Sequence, residues 1–236
     1  MKKRTKNLAS LEPTSLYTVR KVRHPVDFAA DWNSPFWKPA ESLEIKFFRK
    51  ESRKHHPRTF ARLLYDAAGL HGIFRVRDCF VRSTRLRYGD EVWKDSCVEF
   101  FFQPLPDKGY FNFEFNCGGT FLCCYITDPA RVPGGFKEFT KVPLELARRI
   151  KVHSSLPPIV LPEISDPVDW TLQFFVPFSL LEHFAGPLGK IKAQPCRGNF
   201  FKCAEENSHP HWGSWSPLNE LNFHRPACFG TIQFEK

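Results

Sequence analysis

Two stretches of strict alternation stand out along the chain. Between residues 98 and 103 the even positions Val98, Phe100 and Phe102 are apolar. Between 110 and 116 the odd positions Phe111, Phe113 and Phe115 are apolar, and every even one can hydrogen-bond. A period of two marks a half-buried β-strand. Residues 104–109 hold two prolines, an aspartate and a glycine, which is turn chemistry. Antiparallel pairing with Gln103 beside Tyr110 sets Phe102 against Phe111, Phe100 against Phe113 and Val98 against Phe115. A slip of one residue would turn one apolar set to the wrong face. The reverse face then carries Glu99 opposite Glu114, with Gln103, Asn112 and Asn116 around them. Two carboxylates directly across a ladder repel. The pattern therefore predicts something to offset them: an arginine, a metal ion, a shared proton or ligand hydroxyls. Two readings stay open, a solvated strand face and the polar side of a binding site.

The rest of the chain reads as short strands between turns. Residues 16–22 predict a first edge strand, 42–48 another, and 58–65 with 70–77 a hairpin around Asp66 to Gly69. A tight turn over 116–120 leads into a strand over 121–126. Residues 128–143 read as irregular. Residues 144–153 read as strand, with a helical alternative for 144–149, and 157–167 as a loop. Residues 170–176 alternate again. Pro177 opens one or two helical turns that end before Gly186. A strand lies within 189–202, a polar aromatic loop spans 209–217, and 229–234 closes the chain. About ten strands with one short helix predict an all-β fold, a two-sheet antiparallel β-sandwich of jelly-roll or immunoglobulin-like kind. Residues 1–15 read as a flexible basic lead and 16–236 as a single domain.

Composition agrees with that picture. A chain of 236 residues suffices for one large all-β domain. Its 20 prolines and 13 glycines are scattered, which suits many short strands, and 25 phenylalanines can fill a wide core. The formal charge of +9 is dispersed over 2–6, 53–58, 82–87 and 148–151 rather than gathered. No RNA-binding signature or recognition-helix pattern accompanies it, so the charge reads as solubilising surface and not as a nucleic-acid partner. No apolar run reaches membrane-spanning length. The eight cysteines form no Cys-x-x-Cys pair. Cys97, Cys117, Cys123 and Cys124 fall in or beside strands, where cysteine acts as a small hydrophobe. Free thiols are expected, and with them a reducing compartment. No apolar core follows the basic N-terminus, so no signal peptide is read. The sequence alone points to the cytoplasm, or to the periplasm or exterior if a signal has been removed.

The order of several motifs resembles the family 9 carbohydrate-binding modules and their family 9-like relatives. They run from about residue 30 to 236: Val76-Arg77-Asp78; Trp93-Lys94-Asp95-Ser96-Cys97-Val98-Glu99; Tyr110 to Asn116 followed by glycine; Trp170 with Val176-Pro177-Phe178; Arg197-Gly198-Asn199-Phe200; and Trp215-Ser216-Pro217 leading to Phe223-His224-Arg225-Pro226. The resemblance implies a non-catalytic, lectin-like sandwich that holds a mono-, oligo- or polysaccharide between two tryptophans. Trp93 would form one wall and Trp215 or Trp212 the other. Glu99, Glu114, Asn116, Arg197, Asn199 and His211 would be the polar candidates. Sugar rings have apolar C–H faces that suit aromatic rings, and hydroxyls that need fixed polar partners. Structural calcium occurs in the family, and Asp78 and Asp95 are the candidates for it here.

Other chemistry is less well carried. His209, His211 and His224 could gather a zinc ion, but loop histidines more often bond backbone or line a site. Met1 is the only methionine, which excludes a haem ligated by a core Met with His. A glycoside-active enzyme using Glu99 and Glu114, and a scaffold domain without a sugar site, remain as alternatives.

Overall fold

The computed structural model describes residues 15–23, 27–52, 54–189, 191 and 194–235. The basic lead expected over 1–15 lies, apart from Ser15, outside them. In chain order the strands are β1 (Leu16–Lys21), β2 (Leu43–Ile45), β3 (Phe47–Phe48), β4 (Arg58–Tyr65), β5 (Gly69–Asp78), β6 (Val81–Ser83), β7 (Cys97–Gln103) and β8 (Tyr110–Asn116). They continue with β9 (Phe121–Val132), β10 (Gly135–Lys141), β11 (Lys151–Ser154), β12 (Val160–Ile164) and β13 (Val168–Pro177), then β14 (Cys196–Ala204), β15 (His211–Ser214) and β16 (Gly230–Phe234). Two short helices, α1 (Leu144–Ala147) and α2 (Phe178–Ala185), interrupt them. No described helix is long and apolar enough to cross a membrane.

The strands form two layers. One runs β10-β9-β8-β7-β14-β16, and the other β4-β5-β13-β11, with β2 on β4. β1 joins them: Leu16 to Val19 pair with β16, and Arg20 and Lys21 with β4. The first strand is therefore a link between the layers and not an edge. Both of its pairings are parallel, a departure from the all-antiparallel expectation. A two-stranded ribbon of β6 and β12 lies apart. β12 falls in the segment expected to be a loop.

The predicted register of β7 and β8 holds residue for residue, with Phe102 opposite Phe111, Phe100 opposite Phe113, Val98 opposite Phe115 and Glu99 opposite Glu114. The phenylalanine face fills the space between the layers. Phe100 stacks on Phe200 at 4.7 Å and Phe115 on Phe174 of the facing layer at 5.1 Å. Burying each such ring contributes roughly 1.5–3 kcal/mol, and the offset stacking adds to it. Gly72 of β5 makes room for one of them: a Cβ there would stand 2.1 Å from the Phe174 ring. Helix α2 starts after Pro177, buries Leu180, Leu181 and Ala185 against the end of this core, and stops at Gly186, whose φ is +87°.

The segment expected to be irregular, 128–143, is instead a long hairpin of β9 and β10. Its far half is solvated on both faces, so no alternation marked it. Residues 144–147 take the helical alternative, and strand resumes at Lys151.

Candidate functional site

The reverse face of β7 and β8 is not bare. Alternation turns Cys97, Glu99 and Phe101 of β7, Tyr110, Asn112 and Glu114 of β8, Leu122 and Cys124 of β9, and Phe201 and Cys203 of β14 to the same outer side. Part of that face is covered by the chain after β15, where Leu218, Phe223 and Phe229 close over Phe101, Tyr110 and Phe201. Beside this cover lies a hollow of about 830 Å³. Glu99, Asn112, Glu114 and Cys203 form its floor. Its walls are Trp93 from the turn before β7, Trp212 from β15, Phe136 and Arg131 from the β9–β10 hairpin, and Phe223 and His224 from the covering loop.

The floor is polar, buried and incompletely paired. The Asn112 amide donates to Glu114 Oε1 at 2.7 Å, and its carbonyl accepts from the Cys124 backbone N–H. The Cys203 thiol donates to Glu99 Oε1 at 3.1 Å. Among the described residues, the second oxygen of each carboxylate, Glu99 Oε2 and Glu114 Oε2, has no hydrogen-bond partner. Buried carboxyl groups so placed keep their protons more tightly. Burial pushes Glu99 well above the ordinary range, and the acidic neighbours Cys203 and Glu114 add to it. Burial raises Glu114 too, against the partial relief of the Asn112 bond and the Arg131 charge.

The walls are fixed by their own contacts. Trp212 Nε1 donates to Glu205 Oε1 at 3.3 Å, which orients the indole. Arg131 lies over the Phe136 ring at 4.2 Å. Burial, then Arg131, pushes His224 down to about 3, and its Nδ1 shares a hydrogen bond with the Tyr110 hydroxyl at 3.0 Å. The hairpin turn beside the hollow carries Gly134 and Gly135 at φ of +92° and +146°, where L-residues are strained.

Of the residues named for the saccharide, Trp93, Glu99, Glu114 and Trp212 meet at this hollow. The others do not. Trp215 is a core residue, packed edge-on against Phe200 at 5.8 Å, because it continues past β15 into the interlayer. Asn116 is a turn brace: its amide donates to Arg85 O and Asp95 Oδ2 and its carbonyl accepts from Thr120 N–H. Arg197 bonds Phe229 O at 2.7 Å, which ties β14 to the chain entering β16. Asn199 pairs through both amide atoms with the Ser216 backbone. His211 faces inward and contacts Lys202. The three histidines considered for zinc part company: His209 stacks on Phe80, His211 contacts Lys202, and His224 bonds the Tyr110 hydroxyl.

Calcium does not fit the two aspartates named for it. Both Asp95 oxygens are taken by Thr84 and the Arg85 backbone, with the Arg85 guanidinium 3.6 Å away. Asp78 sits between His55 Nε2 at 2.8 Å and the Lys202 ammonium at 3.5 Å. A hard cation that needs six or more oxygens finds cationic or N–H donors in those places.

Arg131 and Phe136 were not among the sequence candidates, because the hairpin that carries them shows no alternation. Neither was Lys202, a fully buried lysine on the interior face of β14. A charge at the parity of Phe200 was the available signal.

The sequence profile of carbohydrate-binding family 9 matches residues 40–234. A candidate carbohydrate-binding protein from Bacteroides uniformis ATCC 8492 has the same fold at a TM-score of 0.76 and 26% identity, over 93% of this chain and 99% of its own. A family 9 carbohydrate-binding module from Caldicellulosiruptor kristjanssonii in complex with glucose aligns at a TM-score of 0.59 and 12% identity, over 94% of this chain and 96% of its own. The same organism's module in complex with cellotriose aligns at 0.57 and 14%, over 94% of each chain. No curated protein matches the chain in sequence.

Proposed function

The chain belongs to carbohydrate-binding family 9, and from that premise we propose that it binds a saccharide, without catalysis, in the hollow between Trp93 and Trp212. One observation carries the reading: two partly exposed indoles flank a floor of buried carboxylates whose second oxygens lack hydrogen-bond partners among the described residues. Sugar C–H faces would lie along the indoles, and sugar hydroxyls would complete the hydrogen bonding of Glu99 and Glu114. A protonated carboxyl both donates and accepts, which matches a hydroxyl that does the same. The glucose and cellotriose held by the Caldicellulosiruptor modules name the first ligands to try.

A hydrolytic reading finds less support. A retaining pair flanks the scissile bond from two sides, roughly 5–5.5 Å apart, with one partner ionised as nucleophile. Here both carboxyls stand side by side on one floor, and both are pushed toward the protonated form.

Titration of the full chain with glucose, cellobiose and cellotriose, followed by tryptophan fluorescence and calorimetry, tests the proposal. Trp93→Ala and Trp212→Ala should each weaken binding by about tenfold or more, about 1.4 kcal/mol, with the fold intact. An unchanged affinity in both variants, or silence across a broad glycan panel, overturns it.

A further inference from the structure

Beneath the hollow, three side chains that the saccharide reading uses only in part come together. The Cys97-x-Glu99 spacing places both side chains on the outer face of β7. The antiparallel register with β14 sets Cys203 directly opposite Cys97. As a result Cys97 Sγ, Cys203 Sγ and a Glu99 oxygen all lie within 4.8 Å of one another, and all three residues are buried. We propose that this cluster is a transition-metal site, two sulfurs and one carboxylate oxygen holding a single soft divalent cation, zinc by its chemistry, with its remaining position open to the hollow.

Geometry favours it. Zinc binds sulfur at about 2.3 Å and carboxylate oxygen at about 2.0–2.2 Å, so a tetrahedral site separates its donors by roughly 3.5–3.8 Å. The Glu99 Oε1 distances are 3.1 Å to Cys203 Sγ and 4.0 Å to Cys97 Sγ. Shifts of less than an ångström convert the arrangement into a coordination shell. The ligand set is selective as well: two thiolates suit zinc and its soft relatives and reject calcium and magnesium. Three protein ligands with one exchangeable position is the pattern of an accessible zinc rather than a closed structural one. Glu99 and Cys203 border the hollow, which provides the entry path.

An unpartnered polar atom points the same way. Glu99 is almost wholly buried, at 2% exposure, yet among the described residues its Oε2 has no hydrogen-bond partner, and the cluster itself includes no cationic side chain. A divalent cation would occupy that place and, as it bound, expel both thiol protons and the Glu99 carboxyl proton to solvent. A second donor group among the described residues, His55 with Asp78 and Cys79, makes a poorer site. Its carboxylate already faces the Lys202 ammonium at 3.5 Å and His55 at 2.8 Å, so a further cation would meet a resident charge.

The inference does not depend on saccharide binding, and its test needs no sugar. Full-length protein carrying Cys79→Ser, which disables the competing cluster, is stripped with chelator, kept reduced and titrated with Co²⁺. The expected result is one equivalent of tightly bound ion with tetrahedral d–d bands and sulfur-to-cobalt charge transfer. Cys203→Ser should weaken uptake at least tenfold. Glu99→Gln should weaken it while the charge-transfer band remains. Absence of the band, or uptake unchanged in Cys203→Ser, overturns the proposal. If Cys203→Ser does not fold, the zinc K-edge spectrum of the Cys79→Ser protein decides. Two sulfur scatterers near 2.3 Å support the site, and a shell of oxygen and nitrogen alone overturns it. Metal uptake without saccharide binding, or the reverse, tells the failure of one reading from the failure of the other.

Discussion

Strand β14 carries a buried polar cluster on each of its faces, one residue apart. Lys202 points into the interlayer. Its ammonium donates to His211 Nε2 at 2.7 Å and to Cys203 O at 3.1 Å, and it faces Asp78 of the opposite layer at 3.5 Å. Cys203 points outward to Glu99, beside Glu114. The two clusters are equally dry, but their electrostatics are opposite. Burial alone would raise Asp78; the Lys202 charge and the His55 bond overcome it and hold the carboxylate below its ordinary range. Among the described residues no such cation serves Glu99, and burial drives it well above. One cluster contains its own countercharge and joins two sheets. The other is left short of partners and borders a cavity. The contrast separates architecture from site: a buried ionisable group matched within the chain is structural, and one left unmatched at an opening is waiting for something from outside.

The largest expected effect lies on the inward side. Lys202→Met removes the cation and strands Asp78, and breaking a buried pair in this way destabilises by roughly 3–5 kcal/mol. The double replacement Lys202→Met with Asp78→Asn should recover much of that loss. Glu99→Gln, equally buried, should leave stability unchanged or slightly raised, since it removes a carboxyl that resists ionising. Denaturant midpoints at constant m-value provide the check. A loss in Glu99→Gln as large as that in Lys202→Met would collapse the distinction.

Two tryptophans three residues apart sharpen the same comparison. Trp215→Ala empties a core position against Phe200 and should destabilise by about 3–5 kcal/mol, while the folded fraction keeps its affinity for saccharide. Trp212→Ala, at the hollow, should destabilise by less than about 1 kcal/mol and lower affinity instead. Thermal melts run beside saccharide titrations separate the two. Equal effects of the pair on either measurement would place both residues in one environment.

This pair also shows where the sequence was legible. The β7–β8 register could be read because one face is wholly core: every even residue of β7 and every odd residue of β8 over the central rungs is apolar. The Glu99–Glu114 pairing followed from parity alone. Trp212 and Trp215 could not be separated, because β15 ends at Ser214 and parity lapses where a strand ends. Arg131 and Phe136 sit on a hairpin solvated on both sides, where no period is imposed on the chain. Asn199 and Arg197 looked like ligand contacts because their role, bonding the backbone of distant residues 216 and 229, depends on where a later loop returns. Phenylalanine parity thus fixes which way a strand faces, and it carries no information about what covers the other side.

The pH dependence completes the comparison, and here the two clusters pull in opposite directions. An unfolded glutamate titrates near 4.3. Below that value Glu114 is protonated in both states and contributes nothing. Above it the unfolded chain loses the proton while the native site keeps it, so the native state binds more protons and stability falls as pH rises. The decline ends once pH passes the raised native value. Asp78 behaves in the reverse sense. Its native value is depressed, so its contribution is full above the unfolded value near 3.9 and is lost as pH falls through the native one. Glu114→Gln should therefore flatten the decline on the neutral side, by about 1.4 kcal/mol for each unit by which the native value is raised. Asp78→Asn should flatten the acid limb and leave the neutral side alone. Denaturation curves collected from pH 3 to 9, plotted as differences from the unsubstituted chain, show whether the two slopes have opposite sign. Slopes of the same sign would mean that Glu114 is matched within the fold after all, and the hollow would lose its claim on a ligand.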